Sequence, residues 1–361
     1  MVISRTPFRI SFFGGGTDYP SWFRKHGGSV LAATIDKYCY LTCRYLPPFF
    51  EHRIRIIYSS IENCQTVDEI KHPAAREVLR FLKFDRGIEI HHDADLPARS
   101  GIGSSSAFTV GLLNAVYALT GRMCTKRQLA AESIHIEQDL IKEAVGSQDQ
   151  VSAAYGGLNH ISFLPNGEFT VTPVTILPER IRELNDHLML FYTGIKRTAS
   201  DIAQTFVGDL EARRRQLRTM AALVDEAIAV LNSREDLTPF GELLHETWEA
   251  KRSLSSAVSN PEVDALYDKA RAAGAVGGKL TGAGGGGFML LFVPPERQKT
   301  VRAALESFVY VPFRIEFSGS QIIFCDLEAE YRVADIEETG AKNAVRFREL
   351  GEIDTAGGGL K

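Results

Sequence analysis

The segment Leu96-Pro-Ala-Arg-Ser-Gly-Ile-Gly-Ser-Ser-Ser-Ala107 sets glycines and hydroxyls directly before an apolar run. Gly101 and Gly103 let the backbone turn tightly and approach a ligand closely. A helix starting here directs unpaired N–H groups and its positive dipole end at an anion. Ser104, Ser105 and Ser106 add hydroxyls for phosphate oxygens or a metal ion. Taken alone, the same residues serve equally well as a Ser-rich helix cap.

Two further segments have a composition that a plain core does not need. In Arg5 to Pro20, an alternating strand runs into Gly14-Gly15-Gly16 and then Thr17-Asp18. On its own, Asp18 reads as the Asx cap of a turn. In Lys279 to Phe292, the run Lys-Leu-Thr-Gly-Ala-Gly-Gly-Gly-Gly enters an apolar strand, which a flexible linker does not usually do. Close packing of this backbone against a ligand or against the other loop fits better. No Gly-Lys-Ser/Thr tripeptide is present, and Gly101 to Ser106 lacks the third glycine and the βαβ setting of a dinucleotide fingerprint. A phosphate loop of another type remains.

Phosphoryl transfer also needs carboxylates, one to help hold Mg²⁺ and one to take the proton of the attacking hydroxyl. Glu137, in a helical stretch, and Asp149, after a break signalled by Gly146, could fill those jobs. Glu132, Asp139 and Glu143 are equally acidic, so spacing does not choose among them.

These residues must be carried by a folded scaffold. The 361 residues, 44% hydrophobic and 24% charged, suit an ordinary globular chain with core enough for two or three domains. The net charge of -4 offers no bulk attraction to nucleic acid or to an anionic membrane, so an anion site must be local. Charges and a proline at Arg5, Pro7 and Arg9 interrupt what a secretory leader requires, and a cytoplasmic protein is expected. Five scattered cysteines form neither an even disulfide framework nor a metal knuckle; Cys39 and Cys43 fall on one face of a strand.

The first hundred residues read as strands: Val2 to Ser4, Arg9 to Phe13, Val30 to Ile35, Tyr38 to Tyr45, Ile54 to Tyr58 and Gly87 to His91. Ala107 to Leu119 is an apolar helix without a polar face, hence a core helix, ending before Gly121. Lys126 to Val145 reads as one helix, and Tyr155 to Phe163 with Glu168 to Val174 as a hairpin around Pro-Asn-Gly. A strand at His187 to Tyr192 precedes helices within Ala199 to Asn232, Pro239 to Ser259 and Pro261 to Ala273. A strand at Gly286 to Val293, a helix at Pro295 to Phe308 and a strand at Val311 to Ser318 close the pattern. The class is α+β, because strands and helices come in blocks. The expected domains are residues 1–180 and 181–345, followed by a tail at 346–361.

Together and in this order, the three segments resemble the motifs of the GHMP kinases, over roughly residues 3 to 325. Thr6-Pro7-Phe8-Arg9 through Thr17-Asp18-Tyr19 resembles the first, Leu96-Pro97 through Ala107 the second, and Lys279-Leu-Thr-Gly-Ala-Gly284 the third. The resemblance implies an S5-like N-terminal domain and a ferredoxin-like C-terminal domain, with ATP between them. It implies ATP contacts from Pro97, Arg99, Ser100, Gly101, Ile102, Gly103, Ser104, Ser105 and Ser106, and from Gly282 and Gly284. It also implies Mg²⁺ on Ser105 and Glu137, Asp149 as catalytic base, and Arg9 beside that base and the transferred phosphate. A planar guanidinium suits a fixed positive charge at that point.

Where galactokinases have Gly-Glu-His-Thr-Asp-Tyr, this chain has Gly14-Gly15-Gly16-Thr17-Asp18-Tyr19, which replaces two side chains with bare backbone and opens space for a longer sugar. The chain most resembles members that phosphorylate the anomeric hydroxyl of a seven-carbon sugar phosphate. Gly15, Gly16, Thr17 and Asp18 are then the expected sugar contacts, and Lys196 and Arg197 the clamp for the distal phosphate, with Arg99 and Lys37 as other candidates. The rivals are a kinase for a fucose- or galactose-type sugar, a non-catalytic sensor of ATP and sugar, and an ATP-dependent decarboxylase. The expected partners are small molecules alone, with no nucleic acid and no membrane; the oligomeric state is not legible.

Overall fold

The computed structural model describes residues 1–47, 49–195, 205, 208 and 210–326. Its strands in chain order are β1 (Val2–Phe13), β2 (Gly28–Tyr45), β3 (Ile54–Ile57), β4 (Ile61–Cys64), β5 (Ile88–Ala94), β6 (Leu158–Phe163) and β7 (Phe169–Pro173). There follow β8 (Leu188–Tyr192), β9 (Gly277–Leu280), β10 (Phe288–Phe292), β11 (Val309–Val311), β12 (Ile315–Glu316) and β13 (Gln321–Cys325).

Among the described residues these make two sheets. One has nine strands along the path β13-β1-β2-β5-β3-β4, with β12 and β6 also on β2 and β7 on β6. The other is antiparallel, in the order β11-β8-β10-β9. With helices packed against the sheets, the architecture is the α+β class expected. Residues 315–325, inside the span expected as the C-terminal domain, return to the first sheet: β12 pairs β2 and β13 pairs β1.

β1 and β2 are each continuous where four separate strands were expected. Pro7 lacks an N–H for a ladder bond, and the strand absorbs this with a register shift between Pro7 and Arg9 and does not break. The helix Ser104–Leu119 packs against β1 and β2 and is buried on nearly every side, as its uniform apolarity requires. Gly111 sets how closely it can approach: a Cβ there would lie 2.8 Å from Thr6 Oγ1, and Ser4 Oγ donates to Gly111 O at 2.9 Å. The two sheets meet through aromatic rings. Phe12 and Phe13 of β1 both pack edge-on to Phe240 (5.5 and 5.1 Å), which in turn contacts Phe292 of β10 (6.1 Å).

Three expectations shift. The helix expected over Lys126 to Val145 is α-helical only over Lys126–His135, continues as a π-helical turn at Ile136–Leu140, and ends with Lys142 at φ 64°. Tyr155 ends the helix Gln148–Tyr155 and does not start a strand, because Gly156 at φ 69° stops the helix and β6 begins at Leu158. The strand expected at Val311 to Ser318 is split between β11 and β12, with β13 beyond them. All the cysteines of the described residues are free, Cys39 and Cys43 both buried. Among those residues no helix is long and apolar enough to cross a membrane.

Candidate active site

Arg9 lies on β1 just past the bulge, 4% exposed. Its N–H donates to Ile102 O (3.0 Å) and its Nη1 to Gly101 O (2.8 Å), so one residue fastens the strand to the 96–107 loop twice. The rest of the guanidinium grips Asp149 in a planar fork: Nε donates to Oδ1 at 2.7 Å and Nη2 to Oδ2 at 2.6 Å. Asp149 sits in the first turn of the helix Gln148–Tyr155, its side chain 24% exposed. Gly103, at φ 74°, ends the loop beside this pair, where a Cβ would lie 3.1 Å from Arg9 Cγ and 3.4 Å from Asp149 Oδ2. The N-terminus of the helix Ser104–Leu119 therefore opens next to an arginine and a half-buried carboxylate.

The loop's other expected contacts divide by exposure. Pro97 and Arg99 are exposed, Arg99 at φ 59°, while Ser100 and Ile102 are buried. Ser100 Oγ donates to Pro97 O (2.5 Å), and Ser104 Oγ accepts from Arg99 N (3.3 Å). Both hydroxyls hold the loop's own shape. The third glycine segment closes over it. Cβ atoms at Gly101, Gly282 and Gly287 would lie 2.7 Å from Thr281 O, 2.5 Å from Gly101 Cα and 2.1 Å from Ser100 O. Glycine is required here because two backbones touch.

Glu137 falls on the π-helical turn, four residues after the buried Ser133 and eight after the buried Leu129, and so continues their inward face at 1% exposure. Ser106 Oγ donates to its Oε2 at 2.8 Å and Gln150 Nε2 at 2.5 Å. Its pKa is pushed up to about 7, first by burial. Oε1 is buried with no hydrogen-bond partner among the described residues. A free carboxylate oxygen beside serine hydroxyls is a hard oxygen donor set that fits Mg²⁺. The serine that meets Glu137 is Ser106; Ser105 is exposed at the helix start and makes no bond to Glu137. Among the described residues no three His, Cys, Asp or Glu side chains gather into a metal cluster.

The first-motif turn is packed differently from its sequence reading. Thr17 is buried, its Oγ1 donating to Gly14 O (2.7 Å) and lying 3.0 Å from Ser29 O. Asp18 is 1% exposed, and both its oxygens accept from backbone, Oδ1 from Gly16 N (2.9 Å) and Oδ2 from Gln148 N (3.2 Å). Its pKa is raised, chiefly by burial and next by the charge of Asp149. Gly15 is near Ser11 and Gln148, whose Nε2 would lie 3.5 Å from a Cβ there. Lys196 and Arg197 lie outside the described residues.

Two buried lysines lie beside these segments, and among the described residues no carboxylate is bonded to either. Lys279 Nζ donates to Phe12 O (2.9 Å), and burial, helped by Arg9, pushes its pKa down to about 7. Lys251 Nζ donates to Leu280 O (2.8 Å) and Gly282 O (2.6 Å), and burial likewise lowers its pKa. Lys251 was not among the expected residues. Its signal was available, since Leu244, Trp248 and Lys251 are spaced i, i+4, i+7 and so place a lysine on an apolar stripe.

This arrangement, a helix N-terminus, an arginine-held carboxylate and a buried glutamate with one free oxygen, is suited to phosphoryl transfer. Comparison with known proteins agrees. Residues 69–157 match the model of the GHMP kinases N terminal domain and residues 221–311 that of the GHMP kinases C terminal domain. The chain is 31% identical over 320 residues, 84% of its length and 93% of the relative's, to a D-glycero-alpha-D-manno-heptose 7-phosphate kinase of Campylobacter jejuni. The chain belongs to the GHMP kinases. As a sugar-kinase phosphotransferase of that family it uses ATP. It is also 30% identical over 346 residues to an L-fucokinase/L-fucose-1-P guanylyltransferase of Bacteroides fragilis, covering 84% of this chain and 35% of that one. Among solved structures, a D-glycero-D-manno-heptose 1-phosphate kinase from Bacteroides thetaiotaomicron shares the fold, with a TM-score of 0.74, 24% identity and coverage of 90% and 100%.

Proposed function

We propose that this GHMP kinase transfers the γ-phosphate of ATP to the anomeric hydroxyl of D-glycero-D-manno-heptose 7-phosphate, giving the 1,7-bisphosphate. The observation that carries the transfer is the two-bond grip of Arg9 on Asp149 beside Gly103, at the start of the helix Ser104–Leu119. The heptose relative, which aligns over most of both chains, supports the sugar.

Asp149 takes the proton of the attacking hydroxyl as the new O–P bond forms and the bond to the departing ADP breaks. Arg9 aims that carboxylate and supplies fixed positive charge near the transferred group. The N–H groups at the start of the helix Ser104–Leu119, with Gly101 to Ser106, cradle the phosphates. Glu137, Ser106 and the exposed Ser105 would hold Mg²⁺, which supplies charge neutralisation on phosphate oxygens when bound. The Gly15–Gly16 backbone leaves room for the long sugar, and Lys196 and Arg197 grip its distal phosphate.

An ADP-release assay across heptose 7-phosphate, the unphosphorylated heptose, fucose and galactose tests the reading. The highest kcat/KM is expected for the heptose phosphate; a maximum on fucose would transfer the assignment to the sugar of the Bacteroides fragilis relative.

A further inference from the structure

Asp18 sits behind the catalytic aspartate. We infer that Asp18 is a positioning residue for Asp149, clasping the turn after β1 to the helix that carries Asp149, and is not a ligand of the sugar. The inference rests on the reading of Asp149 as the base.

Three bonds make the clasp. Asp18 accepts Gly16 N on Oδ1 and Gln148 N on Oδ2, and its main-chain oxygen accepts Ser147 N at 3.0 Å. Gln148 and Ser147 directly precede Asp149. The helix Gln148–Tyr155 has no side-chain cap of its own, since Ser147 in the N-cap position makes no capping bond. Its cap comes from a carboxylate 130 residues earlier in the chain.

Gly146 gives an independent sign of the same contact. Its φ is not positive, so the backbone does not demand glycine there. The space does: a Cβ would lie 1.9 Å from Asp18 Oδ2 and 2.6 Å from its Cγ. The chain omits a side chain where one would push the clasp apart. With both oxygens bonded and the residue 1% exposed, little of Asp18 is left to face a sugar.

The test is steady-state kinetics of Asp18→Asn, Gly146→Ala and Asp149→Asn, and of Asp18→Asn and Gly146→Ala each combined with Asp149→Asn. Circular dichroism and ATP titration confirm folding. A small misplacement of the base costs about 10²-fold in kcat, so Asp18→Asn and Gly146→Ala are each expected to lose about that much. KM for the sugar phosphate stays within about threefold, because a lost positioning contact acts on turnover. Each double variant is expected to be no slower than Asp149→Asn alone, because Asp18 acts through that residue. A sugar KM raised about tenfold with kcat preserved would identify a sugar ligand and overturn the clasp. Multiplied losses in the double variants, with Asp149→Asn itself slow, would also overturn it and leave the base reading standing. Wild-type turnover in Asp149→Asn overturns both.

Discussion

Arg9 meets Asp149 edge-on, with Nε on one carboxylate oxygen and Nη2 on the other, at 2.7 and 2.6 Å. Its remaining nitrogen, Nη1, donates to Gly101 O, so the 96–107 loop and Asp149 share one rigid donor. A planar guanidinium fixes both distances at once, which a lysine at this position could not do.

Removing the proton acceptor while keeping its shape isolates its chemistry. Asp149→Asn is expected to fold and bind ATP, and to lose about two to four orders of magnitude in turnover. Single-turnover ADP formation measures this, and a rate equal to wild type would exclude the base role.

The burial of Glu137 has a cost that depends on pH. Its folded pKa, raised from 4.5 to about 7, means the folded state binds more protons than the unfolded state between those values. Stability is therefore lost as pH rises through that window, by at most about 3 kcal/mol, and stays lost above it. Glu137→Gln has no such loss. Its melting temperature should exceed wild type by a margin that grows from pH 5 to pH 8, while turnover falls on the order of 10²-fold. A margin independent of pH in thermal melts would refute the assignment.

Lys279 acts in the opposite sense and in a higher window. With its pKa lowered from 10.5 to about 7, the folded state binds fewer protons than the unfolded state between those values, so its contribution to stability improves as pH rises. Lys279→Met should be more stable than wild type near pH 7, with the gap closing toward pH 10. Chemical denaturation at several pH values checks the slope.

Lys251 supports the glycine loop from below. Lys251→Met keeps most of the alkyl volume but leaves the Leu280 and Gly282 carbonyls without their donor. ATP affinity is expected to weaken about tenfold, an amount that calorimetric titration resolves easily.

The proposed grip of Arg197 on the distal phosphate makes a prediction about substrate choice and not about the chemistry. Arg197→Ala should lose the preference for the phosphorylated over the unphosphorylated heptose, with turnover on the latter unchanged. Competition between the two sugars reads this directly, and an intact preference would remove Arg197 from the clamp.

Local pattern carried the glycine and serine loops, the apolar core helix and the α+β class. These features depend on residue size, conformational freedom and periodicity, which neighbours along the chain determine. Arg9 and Asp149 could be paired only through a resemblance over roughly residues 3 to 325, because their bond joins residues 140 apart. The fold decided what no local window encodes. Glu137 meets Ser106 across 31 residues, two backbones touch at Gly101 and Gly282, and Lys251 reaches a loop 31 residues away. Asp18 shows the difference most sharply. In sequence it reads as the Asx cap of a turn or, through the resemblance, as a sugar contact; folded, it is buried against Gly146 and caps a distant helix. The side chain's chemistry was legible from the start, but a carboxylate bonds whichever donors lie nearest, and packing of distant segments chose them.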